Sequence, residues 1–322
     1  MPEIRVDPLS GHRAIVADER AARPGSGLEA PPADPPIDPE RDPFLEGHED
    51  RTPPELDALR PDESAPDTPG WAVRVVPNLF PAVHADAQAP PREARVDLFA
   101  SAPASGHHEV IVATPRPVGS LAELDAAELE LAMTMWRRRI AHHAGHGAAC
   151  VHLFVNDGRA AGASQPHTHA QLVALDTVPV LIARERERFG AYATSTMGGN
   201  LLADLVQEEV RLGERIVAID DETVVLAPYA SAAPYQLLIA PRRPAMRFED
   251  EGPLGAAALH DALGRLARRF GRPPALNLWV RTAPRGAEHY CWRIDIRPRL
   301  AQQAGLELGT GIDLNPVAPE RA

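Results

Sequence analysis

One order of elements is written twice along this chain of 322 residues, and that repetition limits its possible folds more than any single motif does. Apolar, β-branched runs at Trp71 to Val83 and His108 to Thr114 read as strands, each ended by proline or polar residues. Ser120 followed by Glu123 has the spacing of a capping box, and Leu121, Leu124, Leu129, Met133, Trp136 and Ile140 then recur at helical spacing as far as the Gly145 region. Cys150 to Asn156 and His169 to Leu175 complete the unit as two more strands. The order then returns: Glu222 to Pro228, Tyr235 to Pro241, a helix near Leu254 to Phe270, Ala275 to Arg281, and Tyr290 to Arg297. The register supports this, since Pro115-Arg116 lies 52 residues before His167 and Pro241-Arg242 lies 50 residues before Cys291. The expectation is an α+β protein of two antiparallel-sheet units, each packed against one long helix.

Three segments follow from this division. Residues 1–70 form an N-terminal strand and a Pro-rich arm, 71–190 the first unit, and 191–322 the second. Between Arg23 and Pro69 the chain is rich in Pro, Asp and Glu without hydrophobic periodicity, so it reads as loop or partly disordered arm carrying little core. A formal charge of -12 and the lack of a basic stretch argue against nucleic acid as a partner. No apolar run approaches the roughly 20 residues that span a bilayer, so no membrane partner is expected. Two cysteines cannot build a disulfide framework and the opening residues lack the apolar core of a signal peptide, which together imply a cytoplasmic protein.

Chemistry concentrates between Asn156 and Gln171, NDGRAAGASQPHTHAQ, where a loop of small residues runs into His167-Thr168-His169-Ala170-Gln171. Alternate residues of a strand face one side, so a strand starting at Pro166 would point His167, His169 and Gln171 into one pocket. Burying three polar side chains together is costly without a ligand, which favours a site over packing. A neutral imidazole is a good nucleophile near neutral pH, and its phosphoramidate is reactive enough to pass a nucleotidyl group onward. His169 is the candidate nucleophile. Gln171 can donate its amide to a non-bridging phosphate oxygen without supplying a proton, which favours a phosphate acceptor over water. Gly162, Ala163 and Ser164 would let backbone N–H groups and a hydroxyl approach phosphates closely.

These residues resemble the galactose-1-phosphate uridylyltransferase family and its relatives acting on ADP-sugars, within the histidine-triad superfamily. The family pattern of Asn, then Gly-Cys/Ala-Ser, then His-Pro-His-Gly-Gln matches Asn156, Gly162-Ala163-Ser164 and His167 to Gln171. The resemblance implies a duplicated histidine-triad-like fold, and catalysis by His169 with His167 and Gln171, the last holding the intermediate. It also implies phosphate contacts from Asn156 and Ser164. DPLSGHRAIVADERAARP resembles the family's opening strand and arginine pair, making Arg20 and Arg23 candidate phosphate ligands, while VVPNLFPAV resembles its nucleoside-binding strand around Asn78 and Leu79. GLELGTGIDLNPV resembles the closing segment, where Gly309, Thr310 and Gly311 would reach a sugar-phosphate site across a homodimer interface. The implied partners are a nucleotide-sugar and a sugar phosphate. The rivals are ADP-sugar phosphorylase or adenylyltransferase activity on the same fold, and a degenerate nucleotide-binding protein without catalysis.

The family's metal-binding residues are where the pattern fails. Its Cys-x-x-Cys pair corresponds here to Asp42-Pro43-Phe44-Leu45, and the segment carrying its next histidine reads Ala113-Thr114-Pro115-Arg116-Pro117. Leucine and proline cannot ligate zinc, so His167 is expected to hydrogen-bond or orient instead. At the second metal site Pro244, Cys291 and Arg293 replace histidines and only Glu185 survives, so an ion pair of Glu185 with Arg293 is expected in place of a metal. His48, His84, His107 and His108 read as scattered surface or core residues. No metal or other cofactor is expected.

Overall fold

Every run read as a strand forms one, and both helical repeats form helices, in the computed structural model, which describes residues 1–22, 28–88 and 101–322. The strands are β1 (Glu3–Val6), β2 (Arg13–Val16), β3 (Asp57–Leu59), β4 (Val73–Pro77), β5 (Gly106–Val112), β6 (Cys150–Asp157), β7 (His169–Leu175), β8 (Ile216–Ile219), β9 (Thr223–Leu226), β10 (Leu237–Pro241), β11 (Leu276–Arg281), β12 (Arg293–Pro298) and β13 (Ile312–Asn315). The helices are α1 (Ala126–Gly145), α2 (Val180–Ser195), α3 (Leu201–Leu212), α4 (Ala256–Phe270) and α5 (Gly305–Thr310). Among the described residues no helix is long and apolar enough to cross a membrane.

The two expected sheets join edge to edge. The order β3-β4-β5-β7-β6-β11-β12-β10-β9-β8 is a palindrome of the repeated unit about the antiparallel β6–β11 pair, in which Asn156 stands opposite Asn277. β1, β2 and β13 form a separate small sheet from the two chain ends. Period-two alternation sorts the large sheet's faces. Ile111, Leu153, Leu172, Leu278 and Ile294 share one buried cluster with Met133 and Trp136 of α1 and Leu259 and Leu263 of α4. Trp136 is completely enclosed, and truncating such a side chain costs about 3–5 kcal/mol. The alternate residues, among them His108, Asn156, His169, Gln171 and Arg293, therefore lie on the face turned away from α1 and α4. Close packing within the sheet also dictates Gly106, where a Cβ would stand 2.0 Å from the Ala174 carbonyl oxygen.

Two local expectations are corrected. Ser120 caps only a single turn, Leu121–Glu123, because Leu124 is extended and breaks it; the reciprocal capping box is Asp125 with Glu128, at the start of α1. The arm is not free of packing. Its β3 extends the sheet, Glu49 is buried and accepts from the Trp71 indole at 2.7 Å, and buried Arg74 reaches Glu55 and Asp67. Polar side chains rather than an apolar stripe hold it, which is why hydrophobic periodicity missed it.

Candidate active site

The strand carrying His169 begins at that residue rather than at Pro166, and the difference separates the two histidines. His167 lies before the strand with its ring fully enclosed: Nδ1 is 2.7 Å from Asp42 Oδ2 and Nε2 is 2.9 Å from the Thr114 carbonyl oxygen. Both ring nitrogens are thus held by protein oxygens. His167 thus does not line a pocket with His169; it ties the arm to the strand. Asp42 stands where the resemblance places a cysteine, and Leu45 and Pro117 offer no donor atoms. Among the described residues no three His, Cys, Asp or Glu side chains gather as a metal site, and this donor set does not fit tetrahedral zinc.

His169 is also buried, against the Phe44 ring at 5.3 Å. Its Nδ1 is 2.8 Å from the His167 carbonyl oxygen, so Nδ1 carries the proton and the lone pair of the neutral ring sits on Nε2. Burial pushes the His169 pKa down, only partly offset by that hydrogen bond, which keeps the ring neutral. On the same face, Gln171 Oε1 lies 3.0 Å from His108 Nε2, and Asn156 Oδ1 accepts from Asn277 Nδ2 at 2.8 Å. Both amides therefore have their oxygens occupied.

The loop between them is tighter than its small residues suggested. Gly158 (φ 86°) and Gly162 (φ 95°) adopt left-side backbone angles that glycine tolerates, bracketing a turn at Arg159–Ala161. Gly162 N–H donates to Arg159 O at 2.9 Å and Ala163 N–H to Gly158 O at 3.2 Å. These two backbone groups close the turn itself, contrary to the expectation that they would face phosphates; exposed Ser164 remains available.

Of the remaining candidates, Asn78 follows β4 beside His108, with Oδ1 accepting from Phe80 N–H at 2.9 Å, and Leu79 is exposed next to it. Arg20 is exposed and lines a cavity of about 410 Å³ with Arg297, Gln303 and Asp313. Gly309, Thr310 and Gly311 close α5 beside β13. The structure groups Arg20 and Gly309 to Gly311 with the small sheet, and Asn78 with His108 on the large one. Arg23 lies outside the described residues.

In the second unit the expected ion pair is present. Arg293 Nη2 lies 3.0 Å from Glu185 Oε1, Tyr290 donates to Glu185 Oε2 at 2.9 Å, and Arg293 Nε is 3.0 Å from Asp295. Burial raises the Glu185 carboxyl pKa, but Arg293 and Arg281 outweigh it and hold it low. Sequence reasoning missed His108, Asn277 and Phe44. A signal existed only for Asn277, a polar residue alternating with the apolar Leu276 and Leu278 on its strand; His108 has polar neighbours at 107 and 109 and gave no such signal.

Comparison with known proteins identifies the family and the fold. The family model for the galactose-1-phosphate uridyl transferase N-terminal domain matches residues 1–179. ADP-glucose phosphorylase of Arabidopsis thaliana is 27% identical over 329 residues, covering 99% of this chain and 90% of the relative. Galactose-1-phosphate uridylyltransferase of Haemophilus influenzae is 30% identical over 251 residues, covering 77% of this chain and 68% of the relative. The crystal structure of the Arabidopsis thaliana ADP-glucose phosphorylase with bound ADP-glucose superposes with a TM-score of 0.80 at 26% identity, over 99% of this chain and 96% of that one.

Proposed function

The chain belongs to the galactose-1-phosphate uridyl transferase family, and on that premise we propose that it moves a nucleoside monophosphate from a nucleotide-sugar to a sugar phosphate through His169. In the first half-reaction the Nε2 lone pair attacks the α-phosphorus. A P–N bond forms, the bond from that phosphorus to the bridging oxygen breaks, and the sugar 1-phosphate leaves with the electron pair. In the second, an acceptor phosphate oxygen attacks the same phosphorus and the P–N bond breaks, returning the imidazole. The observation that carries this reading is the tautomer of His169, whose proton is committed at Nδ1 to the His167 carbonyl.

The amide groups of Gln171 and Asn156 stabilise charge on the non-bridging oxygens, and Ser164 adds a hydroxyl. Asn78 and Leu79 contact the nucleoside. The reaction uses no metal, because the Asp42–His167 and Glu185–Arg293 pairs take the places of ligands. As part of the same reading the protein is a cytoplasmic homodimer, in which Arg20 and Gly309 to Gly311 serve a partner's site. A second reading, ADP-sugar as donor and inorganic phosphate as acceptor, is favoured by the similarity to ADP-glucose phosphorylase over 99% of the chain. Incubation with UDP-, ADP- and GDP-glucose, each with galactose 1-phosphate or with inorganic phosphate, separates the two by which pair turns over. Absence of turnover with every pair would overturn both.

A further inference from the structure

We propose that His108 and Asn277 are positioning residues that set which end of the Gln171 and Asn156 amides faces the substrate phosphates. The inference rests on the transfer reading above. A side-chain amide fits its place in either of two orientations, but they are chemically opposite: an NH₂ donates to a phosphate oxygen, whereas a carbonyl oxygen repels it. The choice must come from neighbours whose own polarity cannot reverse.

For Gln171 the fixed neighbour is a backbone N–H. That of Ala82 donates to His108 Nδ1 at 3.1 Å, so the neutral ring carries its proton on Nε2. Nε2 lies 3.0 Å from Gln171 Oε1 and donates to it. Asn78 Nδ2 is 3.2 Å from the same Nε2, but it is itself a donor, with its orientation held by the Phe80 N–H on Oδ1, so it does not compete for that proton. Gln171 is left with its oxygen anchored and its NH₂ available.

For Asn156 the fixed neighbour is a backbone carbonyl. Asn277 Nδ2 lies 2.8 Å from Ala161 O and 2.8 Å from Asn156 Oδ1. A carbonyl oxygen accepts only, so that atom of Asn277 must be the NH₂, and Asn156 must turn its oxygen toward it. Asn156 Nδ2 then lies toward the loop, 3.8 Å from where a Cβ on Gly162 would be. Two unrelated anchors, one from the first unit and one from the second, produce the same result: oxygen held back, donor presented on the His169 face.

The first test needs no substrate. Nitrogen-15 chemical shifts of His108 in the free protein should show an unprotonated Nδ1 and a protonated Nε2 at neutral pH; an Nδ1–H ring or a doubly protonated ring would overturn the assignment. The second is a double-mutant cycle on the full chain. His108→Phe should lower kcat about tenfold while leaving KM nearly unchanged. His108→Gln, whose terminal NH₂ can replace Nε2–H, should recover most of that loss. In a Gln171→Ala background His108→Phe should cost nothing further, and Asn277→Ser should likewise cost nothing further in an Asn156→Ala background. Equal losses in both backgrounds would mean a purely structural role and overturn the proposal. Failure of the transfer reading looks different: wild-type protein would form no nucleotidyl adduct, whatever the His108 tautomer.

Discussion

The two halves place different chemistry on one scaffold. At equivalent positions the first half has His167, His169 and Gln171 where the second has Cys291, Arg293 and Asp295, and the paired strands at their junction exchange Asn156 for Arg281 and His152 for Asn277. In the first half the polar groups are neutral and partly uncommitted: the His169 Nε2 and two amide NH₂ groups converge on one face. In the second half they are paired charges: Arg293 hydrogen-bonds Glu185 and stands beside Asp295, while Arg293 Nη1 and Asp295 Oδ2 stay buried without a hydrogen-bond partner. The second half thus carries an ion-pair cluster, closed by Glu185 of α2, and lends Asn277 to the first. A duplicated fold can keep one site and turn the other into structure by trading neutral donors for paired charges.

The largest expected effect tests the active half. His169→Asn should lower turnover by more than about 10⁴-fold, because the amide cannot form the phosphoramidate, while circular dichroism shows the fold retained. Retained turnover would move the nucleophile elsewhere. Arg293→Leu should do the reverse, leaving buried Glu185 with only the Tyr290 hydroxyl and the more distant Arg281, at a cost of about 3 kcal/mol in chemical denaturation, with adduct formation surviving below the transition. Adding Glu185→Gln should restore part of the loss; no destabilisation in the single variant would mean the pair is not structural.

Acid should weaken the first half through Glu109 of β5, whose carboxylate binds Arg139 and His143 of α1. Burial pushes its pKa up, but hydrogen bonds from His143 and Arg139 outweigh this and hold it at about 2. The folded value lies below the unfolded one of 4.5, so the stabilisation is complete above that pH and is lost as pH falls toward 2. It amounts to roughly 3 kcal/mol, and Glu109→Gln should flatten the dependence of Tm on pH in that window. Unchanged acid sensitivity in the variant would contradict this. Smallest of all, exhaustive chelation should leave Tm unmoved, since the Asp42–His167 hydrogen bond and the Glu185–Arg293 ion pair occupy the two sets of ligand positions; a chelation-induced drop together with about one metal per chain would show ligands elsewhere.

Strand positions, the duplication and the His169 to Gln171 segment were legible because they are written in local periodicity and in one contiguous motif. His169 to Leu175 was read with its observed bounds. The Glu185–Arg293 pair could also be anticipated, because the family resemblance puts both at one metal position, where a carboxylate beside a guanidinium pairs. What stayed hidden depends on partners far apart in the chain. Asp42 meets His167 only once the arm wraps the sheet, and Asn277 meets Asn156 only once β6 pairs with β11. His108 looked like one more scattered histidine until the Ala82 N–H fixed its tautomer. The helices α2 and α3 belong to neither repeat, so the duplicated pattern did not point to them.

The central claim, a covalent nucleotidyl-His169, is tested most directly by intact-protein mass spectrometry after mixing with UDP-, ADP- and GDP-glucose in the absence of acceptor, followed by peptide mapping. The account predicts a gain of one nucleoside monophosphate with one of the three donors, mapped to His169, lost on adding acceptor phosphate and absent from His169→Asn. Turnover of a nucleotide-sugar without any adduct, or an adduct mapped to another residue, would contradict it.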